Sequence, residues 1–187
     1  MRIAIIDSHD SFTYNLSHLV KQLGAEVTVV SVDDAEPQTL QRYDRLILSP
    51  GPGLPHEVPR LSEIIRLYQT CKPILGVCLG HQAIGEFYGA HLTHLPHVFH
   101  GIAADCIPLP DEPLFQGLGS RFTVGRYHSW VVDDEGFPSV LQVTATSGDG
   151  LIMALRHRMH PVCGIQFHPE SVLTPQGLQI MDNWLSL

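Results

Sequence analysis

Basic residues are scarce in this sequence. It has 11 Lys and Arg against 19 Asp and Glu, a formal net charge of −8, and no basic run occurs anywhere. Nucleic acid and anionic membrane surfaces both need a basic patch, so neither is expected as a partner. Long apolar runs are missing too. No stretch approaches the ~20 residues that span a bilayer. Near the start, Asp7 follows only the apolar residues Ile3–Ile6, so no secretory leader is expected. Together these absences predict a cytoplasmic protein. Cysteine is also rare: Cys71, Cys78, Cys106 and Cys163 are the only four, and none forms a CxxC pair. Zinc ribbons and thioredoxin-like redox motifs are therefore disfavoured. Free thiols are expected, mostly as small buried hydrophobes. There is no internal repeat, low-complexity tract or linker. The length of 187 residues suits one domain, residues 1–187.

What is present in the first half is alternation. Arg2–Asp7 is a short apolar run, read as a buried strand. Ser11–Leu23 carries Phe12, Leu16, Leu19, Val20 and Leu23 at helical spacing and stops at Gly24. Glu26–Val32 and Arg45–Ser49 read as strands, Leu61–Thr70 as a helix, Ile74–Val77 as a strand and Gly80–Tyr88 as a helix. Apolar strands alternating with helices predict a doubly wound α/β fold, a mostly parallel sheet with helices on both faces. The second half changes character. Val98–Leu109, Arg121–Val132, Leu141–Thr146, Leu151–His157 and Val162–Phe167 are strand-like, and a helix over about 175–185 closes the chain. These strands predict a smaller antiparallel extension, with some rejoining the main sheet.

The richest segment is Pro73 to Gln82. A buried strand runs into a helix, and Cys78 sits on the turn between Gly76 and Gly80. This G-x-C-x-G pattern has the form of a nucleophile elbow, in which a strained turn presents the reactive side chain above the sheet edge. The glycines allow a close backbone approach where a Cβ would clash. The helix that follows aims its N-terminal N–H groups at the turn, favouring a thiolate and a developing oxyanion. A free thiol is mostly protonated at neutral pH, so a nucleophilic cysteine needs a partner base. The plainer alternative is a small buried residue at a strand end. Cys71 (a helix end) and Cys106 and Cys163 (inside apolar strand patterns) read as packing residues.

Twelve histidines compete for the role of base. His168 stands out because it follows an apolar strand, and strand ends are where α/β sheets place functional groups. Glu170 lies two residues on. In extended backbone the two side chains share a side, so Glu170 could orient the imidazole and stabilise its cation. Spacing alone does not bring Cys78 and His168 together.

Gly76-Val-Cys-Leu-Gly-His-Gln82 and Gln166-Phe-His-Pro-Glu-Ser171 resemble the two signatures of the class I (triad) glutamine amidotransferases. Asp7–Leu16, Ser49–Gly53, Arg126–Ser129 and Ser171–Gly177 are similar to the small subunits of anthranilate synthase and aminodeoxychorismate synthase, nearly end to end. The resemblance implies a triad of Cys78, His168 and Glu170, with Cys78 attacking the side-chain amide of L-glutamine. It implies an oxyanion hole from backbone N–H groups near Gly51 and Leu79, and glutamine contacts at Gly51, Pro52, Gly53, Gln82, Ser129 and Trp130. Ammonia would pass to a separate chorismate-binding synthase subunit, for tryptophan or, alternatively, for folate. No cofactor and no metal is implied in this chain; the family's synthase partner uses magnesium.

Three positions depart from the family pattern. His9 stands where an aromatic is usual, Trp130 where most relatives carry Leu, and Ile102 where many carry Lys. His91, His94, His97 and His100 recur every third residue, but Gly89 and Pro96 oppose a continuous helix, so a solvated or partner-facing loop is expected rather than a metal site. His81 is expected to cap or pack, and His128 to shape the pocket or a partner face. Asp10 or Ser11 is expected to cap the first helix. Two rival readings are a peptidase of similar fold and a non-catalytic regulatory protein.

Overall fold

A computed structural model describes residues 1–187. The chain runs β1 (Arg2–Asp7), α1 (Thr13–Gln22), β2 (Glu26–Ser31), β3 (Arg45–Leu48), α2 (Pro59–Tyr68), β4 (Ile74–Val77) and α3 (Leu79–Phe87). It continues through β5 (Leu92–His94), β6 (Ile102–Pro108), β7 (Phe122–Arg126), β8 (Trp130–Val132), β9 (Leu141–Ser147), β10 (Ile152–His157), β11 (Val162–Ile165) and α4 (Gly177–Ser186). Nine strands form one sheet in the order β2-β1-β3-β4-β11-β10-β9-β6-β7. The first five pair in parallel. The remaining four continue the same sheet antiparallel. The fold is therefore α/β with an antiparallel extension, as the alternation predicts.

Strand alternation divides the core. Ala4, Ile6, Leu46, Leu48 and Ile74 face one way, packed under Leu61, Ile64 and Ile65 of α2 and Ala83 and Ile84 of α3. Ile3, Ile5, Ile47, Leu75 and Val77 face the other way, under Leu16 and Val20 of α1 and Ile180, Met181 and Trp184 of α4. Because both faces are covered, these strands read as continuous apolar runs. Truncating one such side chain to Ala would cost about 2–5 kcal/mol. Arg45 ties the helical layer to the sheet. Its guanidinium donates to the carbonyls of Trp184 and Leu185 at 3.1 Å, supplying partners to the open end of α4.

Two expected strands are corrected. Residues 98–101 of the Val98–Leu109 run form a loop, and only Ile102–Pro108 is strand. The Arg121–Val132 run breaks into β7 and β8, which belong to different sheets; β8 pairs with β5 in a separate ribbon. The break at Tyr127–Ser129 is held by the 95–101 loop. The N–H groups of Leu95, Phe99 and Gly101 donate to the carbonyls of Ser129, His128 and Arg126. The cap of α1 also differs. Phe12 occupies that position and makes no side-chain cap. Asp10 instead accepts from the Phe12 N–H at 2.7 Å, and Asp7 accepts from the Thr13 hydroxyl at 2.7 Å.

The carboxyl ends of β1, β3, β4 and β11 gather on one edge. Strand order reverses between β1 and β3, the switch point where such sheets leave a crevice. The Ser8 N–H bridges it, donating to Ser49 Oγ at 2.9 Å.

Candidate active site

Cys78 is the residue between β4 and α3, with φ 53° and ψ −100°. A non-glycine residue in that region stores about 1–3 kcal/mol of strain. The surrounding packing enforces it. A Cβ on Gly76 would strike the Gly80 carbonyl, and one on Gly80 would strike the Leu48 carbonyl. The elbow thus tolerates no side chain at either flank. β11 lies beside β4 in register, and the Cys78 N–H donates to the Ile165 carbonyl at 2.9 Å. That pairing carries the chain after β11 to the elbow and so brings the second motif to the first.

His168 Nδ1 meets Glu170 Oε1 at 2.6 Å, with the carboxylate side chain fully buried. Burial works against a charged His168, but the neighbouring Cys78 and Glu170 outweigh it and raise its pKa to about 10. His168 Nε2 faces away from Glu170 and has no hydrogen-bond partner. Cys78 is near enough to act on the imidazole's charge, although its sulfur makes no bond of ordinary geometry to Nε2. The His168 backbone is pinned. Its N–H donates to Gly125, its carbonyl accepts from Thr174 Oγ1 at 2.6 Å, and Tyr127 packs edge-on against the ring at 4.9 Å. A neutral ring in water has none of this; here a carboxylate fixes the tautomer and leaves Nε2 for proton transfer.

Gly51 lies against the elbow. A Cβ there would come within 2.6 Å of Leu79 Cδ2 and 2.7 Å of Ser8 Cβ. Its N–H enters no backbone hydrogen bond, and Leu79 heads α3, where N–H groups have no intrahelical partner. Two donors beside a cysteine suit an oxyanion. Pro52 and Gly53 are exposed on the outer part of the same loop, and no contact joins them to the triad. Gln82, one turn into α3, donates to the Trp130 carbonyl at 2.9 Å. The Ser129 carbonyl is taken by Leu95, and the Trp130 ring packs on His94.

Several residues to which sequence reasoning gave little or no role complete the wall. Gln166 accepts from Gln82 Nε2 at 3.2 Å and donates to Cys78 Sγ at 3.6 Å. Arg126 Nε donates to His128 Nε2 at 3.3 Å, and His128 Nδ1 lies 3.1 Å from the Trp130 carbonyl. The carbonyl and the guanidinium set the tautomer between them. Burial, then Arg126, push the His128 pKa down to about 3, so it is neutral. Beneath the elbow, His81 is fully buried with neither ring nitrogen paired. Burial lowers its pKa to about 4; the Gly164 backbone opposes this from nearby, without a hydrogen bond of ordinary geometry. His81 packs and does not cap. A cavity of about 480 Å³ lies among Pro108–Ser120, and Cys78 does not line it. Cys78 itself is only 7% exposed.

The profile of the family described as glutamine amidotransferase class-I matches residues 4–186. The chain is 41% identical over 191 residues to the anthranilate synthase component 2 of Mycobacterium tuberculosis, covering 100% of this chain and 82% of that one. It is 43% identical over 190 residues to the aminodeoxychorismate synthase component 2 of Serratia marcescens, covering 98% and 99%. Among solved structures it superposes on a Thermoplasma acidophilum protein described provisionally as a component of GMP synthase. There the TM-score is 0.89 and the identity 26%, over 100% of this chain and 92% of that one.

Proposed function

The chain belongs to the class I glutamine amidotransferases, and we propose that residues 1–187 act as one amidotransferase domain feeding ammonia to a chorismate-using synthase subunit. The observation that carries this reading is the β4–β11 pairing, which sets Cys78 after one strand and the bonded pair of His168 and Glu170 just beyond the other. Cys78 attacks the side-chain amide carbonyl of glutamine, and the oxyanion is met by the N–H groups of Gly51 and Leu79. His168 gives the Nε2 proton to the departing nitrogen, releasing ammonia and leaving a glutamyl thioester. His168 then takes a proton from water, which attacks the thioester, and glutamate leaves as the Cys78 sulfur is restored. Glu170 holds the imidazole in place throughout.

Gln82 spends its amide hydrogens on Trp130 and Gln166. Only its carbonyl oxygen is left to meet a ligand, which suits a donor on the substrate. Pro52, Gly53, Ser129 and Trp130 form the rest of the glutamine pocket in this reading. No metal or cofactor takes part in thiol chemistry on an amide. A cytoplasmic setting keeps the four unpaired cysteines reduced, and no helix is long and apolar enough to cross a membrane.

Anthranilate synthase is the synthase this reading favours, on the names of most of the relatives. The equally similar Serratia marcescens chain keeps aminodeoxychorismate synthase as the second reading. The test mixes this chain with each candidate synthase of its own organism and follows glutamine-dependent product from chorismate. Anthranilate alone supports the first reading, and aminodeoxychorismate alone the second. Both products would make the chain a shared component. Neither product, with each synthase still active on free ammonia, would refute the partner assignment.

A further inference from the structure

Gln166 has no place in the triad, yet it is fully buried and its side chain reaches the sulfur of the nucleophile. Its placement follows from strand alternation. A Cβ on Gly164 would press on His81 of α3, so Gly164 faces that helix. Gln166 lies two residues on and faces the same way, while Phe167 turns to the opposite core.

The direction of the amide also follows from chemistry. The Trp130 backbone carbonyl can only accept, so Gln82 must present nitrogen to it, as it does at 2.9 Å. The same Gln82 nitrogen then donates to Gln166, at 3.2 Å, which must offer its oxygen. The Gln166 nitrogen is thereby turned toward Cys78 Sγ, 3.6 Å away. A flipped amide would set oxygen against sulfur and nitrogen against nitrogen.

Resting on the amidotransferase reading above, we propose that Gln166 is a positioning residue that holds the Cys78 sulfur in its attacking orientation by a fixed N–H donor. The donor serves the sulfur twice, before it attacks the amide and when it leaves the thioester. Gln82 and Trp130 enforce the donor's direction, which links the glutamine pocket to the aim of the nucleophile.

Two variants test this. In Gln166→Met the shape is kept and the donor is lost. In Gln166→Glu the oxygen that accepts from Gln82 is kept and an acceptor faces the sulfur. With the synthase complex, both are expected to lower kcat for glutamine by about 10- to 100-fold, the range of a hydrogen bond to a charged group. KM should change far less, and ammonia-dependent synthesis should not change. In the isolated chain, without the synthase, iodoacetamide should alkylate Cys78 more slowly by a similar factor, while exposed Cys71 reacts at the original rate. Folded variants that keep both rates within about twofold would overturn the proposal. Where a variant unfolds, the intact Gln166 decides. Its side-chain NH2 resonance should move when Cys78 is changed to Ser, and an unmoved resonance would overturn the proposal as well. Alkylation and the resonance need neither glutamine nor partner. A wild-type complex that makes no glutamine-dependent product would instead count against the amidotransferase reading.

Discussion

Three histidines are buried around the Cys78 turn, and they are held in opposite charge states. His168, His81 and His128 are 3%, 0% and 5% exposed, so burial does not separate them. His168 has Cys78 beside it and Glu170 against Nδ1, and together they hold it charged. His81 has no paired nitrogen, and His128 has a guanidinium beside it; both are held neutral. The comparison teaches that burial sets the cost of charge, while the partner decides whether the charge forms. One elbow is therefore surrounded by one charged ring and two neutral ones.

The most severe way to break this comparison is to remove what the charged histidine serves. Cys78→Ala should abolish glutamine-dependent product while ammonia-dependent synthesis by the partner continues; loss of both would make Cys78 structural. Removing the charge on Glu170 is the next step. Glu170→Gln should lower the glutamine-dependent rate by about 10- to 10³-fold. It should also drop the His168 titration midpoint, read by NMR of the imidazole. A midpoint still near 10 in that variant would show that Glu170 is not its cause.

The two kinds of site should also respond to pH with opposite signs. The His168 pKa is raised above its unfolded value near 6.5. Its pair with Glu170 therefore contributes fully below about pH 6.5 and fades as the pH rises through about 10. The stability difference between wild type and Glu170→Gln, followed by urea unfolding, should shrink along that window. His81 is depressed to about 4. Its contribution is intact above about pH 6.5 and is lost as the pH falls through about 4, because the unfolded chain takes up the proton first. His81→Leu should shift the acid-unfolding midpoint down by roughly half a unit; an upward shift would mean the ring has a partner. The smallest effect is expected at Cys106, which is fully buried among apolar side chains. Cys106→Ala should leave glutaminase activity within about twofold and cost stability alone.

Much of this was legible in the chain. The apolar runs over Ile3–Ile6 and Ile74–Val77 announce buried parallel strands because both faces of each are covered. The elbow is legible because Gly76 and Gly80 have no room for a Cβ. His168 and Glu170 are legible as a pair from their spacing, but the reason differs: Pro169 and Glu170 form a turn closed by the Ser171 N–H on the His168 carbonyl, and this turn, not extended backbone, brings the carboxylate to Nδ1. What was hidden depends on contacts far apart in sequence. The pairing of β4 with β11 brings residue 168 to residue 78, and no periodicity encodes which strand lies beside which. Arg121–Val132 reads as one strand-like run, and only the 95–101 loop bonded to Arg126, His128 and Ser129 divides it. Gln166 follows an apolar strand, and its proposed role emerges only once Gln82 and Trp130 orient its amide.

The Trp130 carbonyl has one more consequence. From Arg126 the hydrogen bonds run through His128 toward this oxygen, and from the Cys78 side Gln82 also donates into it. A carbonyl oxygen has no hydrogen to pass on, so the two arms meet head to head. Relay conduction along the wall, from exposed Asp149 beside Arg126 to the sulfur, is blocked at that atom. The network is therefore an insulator as well as a frame: it holds the wall in place without offering a proton path to the sulfur.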